Sequence, residues 1–242
     1  MASTTDRDRT PAHLDGPDIG LALLAIGAGS MDALGFLSLG GALPSAMTGN
    51  TALLGLALGQ GHLGAAARPF AASLGFVLGA GLAAALLHLK LAHLPVPRGV
   101  AWLIGAEAVL LVGFVLAWQF VDRRVADLPL HLLILLGASA MGVQSVAARQ
   151  DNRPGISTVV FTSTLTALVI AATHALLSTP HRLGFVAKRQ AFMFGTYALG
   201  AVAGGFLTLK AIGVIPFLPL LAALAALPLH MGSPVDGGTR AP

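Results

Sequence analysis

Seven long, continuously apolar runs restrict the fold of this chain more than any other feature of its sequence. They cover residues 20–39, 70–89, 100–120, 128–148, 158–177, 191–209 and 211–229. A helix that crosses the hydrocarbon layer of a membrane needs roughly 20 such residues. An eighth run, at about 48–63, is shorter and rich in glycine, so it either spans with help from its neighbours or re-enters the membrane. The sequence therefore predicts about six to eight transmembrane spans.

The composition assigns these runs to helices that lie in lipid. Hydrophobic residues make up 55% of the 242 residues and charged residues only 10%, with a mean hydropathy of +0.82. A soluble domain carries about 25% charged residues, so this chain is too apolar to cover a water-facing surface. Backbone in a membrane must form helices or a closed barrel, and barrel strands alternate polar and apolar residues. These runs do not alternate, which predicts an all-α transmembrane helix bundle with the lipid bilayer as its main partner.

Basic residues lie at the ends of the apolar runs rather than in one patch. The net charge of +4 therefore does not indicate nucleic-acid binding, which needs clustered Lys and Arg. With eight spans, nine of the fourteen Lys and Arg residues fall on the side of the N-terminus, which predicts that both termini are cytoplasmic. The polar segments 1–19 and 231–242 are predicted to be disordered tails that flank a transmembrane domain at 20–230.

An internal repeat divides the apolar region into halves at about 20–122 and 128–230. Three pairs of segments correspond between the halves: 29–32 with 138–144, 46–51 with 161–166, and 75–79 with 196–200. If each half has four spans, the two halves share one orientation in the membrane. If the short runs are re-entrant, each half has three spans and the halves are inverted. Transporters use both arrangements.

Three short motifs occur together in this chain: Met-Asp-Ala at 31–33, Met-Thr-Gly-Asn at 47–50 and Met-Gly-Val-Gln at 141–144. With them the chain resembles the YoaK family of bacterial inner-membrane proteins, defined by domain of unknown function 1275, over about residues 20–229. The second half departs from the family pattern, since Ser145 stands where Asn is usual and 162–164 (Thr-Ser-Thr) replaces a Thr-Gly pair. The resemblance implies a multi-pass protein of the bacterial cytoplasmic membrane, and it implies no substrate.

Two carboxyl groups lie inside the predicted spans. Asp32 lies past the middle of the first span, and Glu107 lies near the middle of the third. A charged group near the bilayer centre is costly, so such residues face the bundle interior and commonly line ion or solute paths. A carboxyl that alternates between neutral and charged forms suits a proton-coupled carrier. The alternative is that each acid stays protonated and hydrogen-bonds a neighbouring helix.

A helix-breaking element follows the first span, because the segment 40–49 holds three glycines and a proline. Thr48 or Asn50 is expected to cap the next helix, whose N-terminal amides favour a polar or anionic group. The alternative is a plain cap at the membrane surface. Polar residues at the corresponding places of the second half serve either a site or helix–helix hydrogen bonds. The candidate binding residues of both breaks are Thr48, Gly49, Asn50, Gln144, Thr162, Ser163 and Thr164.

These features predict a secondary transporter or exporter of an unidentified small solute, with the proton as candidate coupling ion. Its site would lie between the halves, at Asp32 and the two breaks, with Glu107 as a second titrating group. The sequence has no cysteine and no catalytic, phosphate-binding or metal-binding motif, so we expect no enzyme activity, cofactor or metal. The alternatives are a non-transporting scaffold or accessory subunit and, third, an enzyme that acts on lipid. Substrate, transport direction and homo-oligomer formation are left open.

Overall fold

The computed structural model describes residues 13–120, 127–151, 161–177 and 183–232. Within these ranges the chain forms the helices α1 (Gly16–Ser38), α2 (Met47–Gly59), α3 (Leu63–Leu86), α4 (Val96–Phe120), α5 (Asp127–Gln150), α6 (Phe161–Leu177), α7 (Phe185–Lys210) and α8 (Phe217–Met231). A π-helical turn, Leu87–Leu91, extends α3. Five helices, α1, α3, α4, α5 and α7, are long and apolar enough to cross a membrane. The prediction of an all-α transmembrane bundle is confirmed.

Helix α1 begins four residues before the predicted span because Asp15 caps it. The Asp15 carboxylate accepts a hydrogen bond from the backbone N–H of Asp18 at 3.0 Å, and the Asp18 carboxylate accepts one from the N–H of Asp15 at 3.4 Å. Pro17 in the first turn favours the helical backbone. Residues 16–19 are therefore helical, and the prediction that they belong to a disordered tail is wrong. Residues 1–12 and 233–242 of the two predicted tails lie outside the described residues.

The bounds of the last two helices also differ from the predicted spans. Helix α7 begins at Phe185 rather than 191, and it therefore includes Arg189. Helix α8 begins at Phe217 rather than 211, because Pro216 occupies its N-cap and residues 212–216 form turns. With 15 residues, α8 is shorter than the roughly 20 residues of a standard span.

Helices α1 and α7 pack with their backbones in contact and run parallel to each other. A Cβ added at Gly200 would collide with the backbone of Ile26, and one at Gly204 with the backbone of Ser30. Small residues allow this close approach between membrane helices. Residue numbers rise together along both helices, so α1 and α7 point in the same direction.

Helices α3 and α5 form a second pair of the same kind. A Cβ added at Gly75 would collide with the backbone of Leu135, and one at Gly79 with the backbone of Ser139. The Ser139 hydroxyl also donates a hydrogen bond to the carbonyl oxygen of Gly75 at 2.9 Å. The residue numbers of the contacting pairs again increase together along both helices, so α3 and α5 are parallel.

Helices α1 and α5 cross in opposite directions. Gly137 lies against the Met31 side chain, whereas Gln144, two turns further along α5, binds the carbonyl oxygen of Leu24. Helix α3 is therefore antiparallel to α1, and α7 is antiparallel to α5. An arrangement in which α2 also crossed the membrane would make α1 and α3 parallel. The segment that contains α2 instead begins and ends at the same end of the bundle, and so does the segment that contains α6.

Helix α1 lies at the centre of the bundle. It packs on α7 and α8 and crosses α5, while α4 lies between α8 and α5. The two short helices lie outside this group, with α2 on α3 and α6 on α7. The outer surface is apolar: Val77, Val109 and Val202 are each at least 64% exposed. Such side chains suit contact with lipid, in agreement with the composition.

Candidate functional site at the break after helix α1

The chain turns back along α1 as soon as that helix ends. Gly40 and Gly41 have φ angles of +70° and +86°, a left-handed backbone that glycine adopts without strain. The returning chain then lies against the last turns of α1, where a Cβ added at Gly35 would come within 2.6 Å of Pro44. This path brings Ser45 back to the level of Asp32, inside the bundle.

Asp32 is the centre of a buried hydrogen-bond cluster. Its carboxylate accepts bonds from the backbone N–H of Ser45 at 2.7 Å and from the Ser45 hydroxyl at 2.5 Å. The hydroxyl of Tyr197 in α7 donates to the same carboxylate at 2.7 Å. Asp32 and Ser45 are 4% and 1% exposed. Asp32 therefore joins three parts of the fold: α1, the returning chain and α7.

Asn50 holds the same returning chain from the other side. Its side-chain oxygen accepts a hydrogen bond from the backbone N–H of Leu43 at 3.0 Å, and its side-chain nitrogen donates to the carbonyl oxygen of Leu43 at 2.6 Å. Asn50 is fully buried. The backbone N–H and carbonyl groups of Leu43, which lies outside any helix, are thus both hydrogen-bonded within the protein, as burial requires.

The expected capping role of Thr48 or Asn50 is wrong. The N-cap of α2 is Ala46, and no side chain caps this helix. Thr48 is exposed, and the side chain of Asn50 is hydrogen-bonded to the backbone of Leu43. Gly49 has a packing role, because a Cβ there would lie 2.7 Å from the Leu43 side chain. Asn50 therefore belongs to the site as a residue that fixes its backbone.

Glu107 lies apart from this cluster, at the middle of α4. It is 1% exposed, and α4 packs on α5 and α8 rather than on the break. Within the described residues its Oε2 atom has no hydrogen-bond partner. The predicted burial of this acid in the bundle is observed.

Gln144 of the second half also lies away from Asp32. Gln144 is fully buried, and its side-chain nitrogen donates to the carbonyl oxygen of Leu24 at 2.9 Å. Leu24 is eight residues from Asp32, about 12 Å along a helix. Thr164 is buried and Ser163 is exposed, both in α6, which packs on α7. The side chain of Thr162 lies outside the described residues.

A buried ion pair, which the sequence did not indicate, joins the N-terminal ends of α1 and α7. The Arg189 guanidinium nitrogen Nη1 lies 3.5 Å from Asp18 Oδ1, and the side chains are 2% and 0% exposed. Arg189 also lies over the ring of Phe185, 5.6 Å from its centroid. Arg189 lies before the apolar run predicted at 191–209 but inside α7, because this helix begins at Phe185.

Comparison with known proteins identifies the family. The model for Protein of unknown function (DUF1275) matches residues 20–229. The chain belongs to this family. It is 38% identical over 149 residues to UPF0700 transmembrane protein YoaK of Bacillus subtilis (strain 168), a match that covers 62% of this chain and 64% of that relative. No solved structure matches the chain. The resemblance found in the sequence is confirmed, and this is a membrane protein of the DUF1275 family.

Proposed function

We propose that this DUF1275 protein is a secondary carrier for a small solute. The observation that carries the proposal is the break after α1, which returns into the bundle and is hydrogen-bonded to Asp32. Irregular backbone at membrane depth is tolerated where it is buried in protein or lines a watery cavity. Interrupted helices of this kind form the solute and ion sites of several carrier folds.

Two inverted halves are the second part of the proposal. Helix α1 packs on α7 and α8, and α5 packs on α3 and α4. The first helix of each half therefore packs on the third and fourth helices of the other half. A Cβ at Gly29 would collide with the backbone of Tyr197, and one at Gly142 with that of Phe76. Phe76 and Tyr197 hold the same place in the corresponding segments 75–79 and 196–200. The opposite directions of α1 and α5 support inversion.

Six crossing helices follow from this arrangement: α1, α3, α4, α5, α7 and α8, with α2 and α6 re-entrant. Ten of the fourteen Lys and Arg residues then fall on the side of the N-terminus, compared with nine for eight crossings. The four on the opposite side are Arg68, Arg123, Arg124 and Lys210. Because cytoplasmic loops are enriched in basic residues, this count supports cytoplasmic termini in a bacterial membrane.

The crossing pattern is tested by labelling single cysteines, since the native chain has none. Ser38→Cys, Gln60→Cys and His93→Cys are treated with a membrane-impermeant maleimide in spheroplasts and in inverted vesicles. With a re-entrant α2, positions 38 and 60 react from one side and position 93 from the other. If positions 38 and 60 react from opposite sides, α2 crosses the membrane and the inverted repeat is wrong.

Proton coupling at Asp32 is the mechanism that we propose. An ionised carboxylate accepts hydrogen bonds only, and Asp32 receives three donors. A proton on Asp32 turns one acceptor oxygen into a donor, and Ser45 or Tyr197 then loses its acceptor. Protonation thus loosens the contact between the returning chain and α7. A solute that binds the loosened form better would be carried with the proton.

One observation favours a second candidate function, a scaffold that transports nothing. The same three hydrogen-bond donors satisfy the Asp32 carboxylate. The cluster is therefore also what is expected of a residue that only holds α1, the returning chain and α7 together. Under this alternative Asp32 contributes stability alone, and its replacement changes no flux.

Transport in vesicles separates the two candidates. Purified protein is reconstituted into vesicles loaded with the small-molecule fraction of bacterial cytoplasm, a pH gradient is imposed, and mass spectrometry measures the loss of each solute. We expect at least one solute to leave at a gradient-dependent rate, and Asp32→Asn to remove that dependence. Ser73→Ala is the matched control, because Ser73 bonds only the Pro69 carbonyl of its own helix among the contacts observed. If no solute moves with the native protein, the carrier proposal is wrong.

A further inference from the structure

A cavity of about 400 Å³ opens between α4 and α8, away from the Asp32 cluster. Its lining consists of Arg98, Ala101, Trp102, Gly105, Leu227 and Met231. Small-molecule sites typically measure about 300–1,000 Å³ and combine apolar walls with a few polar groups. This cavity has that composition, with one cationic side chain and no carboxylate among its lining residues.

The charge and the apolar walls are separated along the cavity. Arg98 lies in the first turn of α4, beside Met231 at the last turn of α8. Gly105 lies seven residues further along α4, about 10 Å deeper at the rise of an α-helix. Trp102 is 64% exposed between these two levels, a position typical of aromatic residues at the membrane interface. The cavity therefore runs from a cationic mouth at one end of the bundle into the apolar layer.

We propose that this cavity binds one phospholipid with an anionic headgroup. The headgroup phosphate pairs with Arg98, where the N-terminal end of α4 also favours negative charge. One acyl chain lies along Trp102, Gly105 and Leu227. Basic pockets between transmembrane helices are known to hold anionic lipid headgroups. Gly105 keeps the inner part open, because nothing lies within 4 Å of a Cβ placed there. This site is independent of the proposed carrier function.

Native mass spectrometry of the purified protein with phosphatidylglycerol or phosphatidylcholine of the same chains tests this site. We expect the native protein to retain one phosphatidylglycerol in preference to phosphatidylcholine. Arg98→Gln should weaken the retention of phosphatidylglycerol about fivefold, the effect of one basic residue at an anionic surface. Gly105→Leu should reduce the retention of both lipids by filling the cavity.

Two control variants and one soluble competitor make the outcome decisive. Lys90→Gln removes an exposed charge from the π-helical turn just before α4, and Gly81→Leu adds a side chain in open space on α3. Both should retain the lipid as the native protein does. The proposal is overturned if Lys90→Gln lowers retention as much as Arg98→Gln, or if both lipids bind equally. It is also overturned if glycerol phosphate at equal concentration displaces the lipid, since the acyl chain would then contribute nothing. Size-exclusion chromatography confirms that each variant is folded before its lipids are counted.

Discussion

Removing the hydroxyl of Tyr197 tests whether Asp32 is charged. Tyr197→Phe removes one donor at 2.7 Å from the carboxylate and leaves the ring packing between α7 and α1 in place. A hydrogen bond to an ionised partner contributes about 1.5–3 kcal/mol, whereas bonds between neutral groups in membrane bundles average about 0.6 kcal/mol. If Asp32 is ionised in the resting protein, the substitution should lower the free energy of unfolding by about 1.5–3 kcal/mol.

The assay is reversible unfolding in mixed micelles, with a double-mutant cycle that includes Asp32→Asn. In the Asp32→Asn background, Tyr197→Phe should cost about 0.6 kcal/mol, because the amide carries no charge. The difference between the two costs is the coupling energy, and we expect about 1 kcal/mol or more. Thr196→Val is the control, since its hydroxyl bonds the Met193 carbonyl of the same helix. Equal costs for Tyr197→Phe in both backgrounds would refute an ionised Asp32, and with it the proposed proton switch.

Three further substitutions test the packing and the buried polar contacts, each by the same unfolding assay. Gly79→Ala should cost about 1–3 kcal/mol because its Cβ meets the backbone of α5, whereas Gly81→Ala, in open space, should be neutral or slightly stabilising; similar costs would contradict the close approach of α3 and α5. Asn50→Ala should cost about 1–3 kcal/mol because it leaves two backbone groups of the returning chain without their partner, while Thr48→Ala at the exposed neighbouring position should change stability by less than about 0.5 kcal/mol; a reversed order would reinstate a capping role. Arg189→Met should cost about 3–5 kcal/mol because it removes the cation that faces a buried carboxylate, and a neutral result would show that this ion pair contributes no net stability.

The sequence predicted the helices well because lipid imposes a simple condition on them. An apolar run of about 20 residues has few alternatives to a spanning helix. The helix ends were predicted less well, since α1 and α7 begin before their apolar runs and carry charged residues there. Asp15 and Asp18 form a capping box, and Arg189 lies one turn inside α7, so these residues look like loop in a hydropathy profile. The Asp-x-x-Asp pattern before the first apolar run is the signal that predicts the earlier start of α1.

The candidate site could be predicted in part, for a physical reason. Asp32 and Asn50 are polar residues in apolar surroundings, so both had to face the protein interior, and both are buried. Their partners were missed. Ser45 lies in a glycine-rich segment whose path depends on left-handed residues, and Tyr197 is 165 residues from Asp32 in sequence. The predicted repeat offered one usable signal, because Tyr197 stands in the segment that corresponds to that of Phe76 and adds a hydroxyl there.

The packing of α1 has a consequence for how the protein is made. The main partners of α1 are α7 and α8, which the ribosome synthesises after the other described helices. Until they emerge, a nascent chain already in the membrane holds Asp32 on a helix that lacks Tyr197, its donor from α7. The centre of the bundle therefore closes only after α7 and α8 have been synthesised. A chain that stops before α7 keeps the two Ser45 donors to Asp32 but leaves the face of α1 that binds Tyr197 open to the bilayer, a feature by which membrane quality control can recognise it as unfinished.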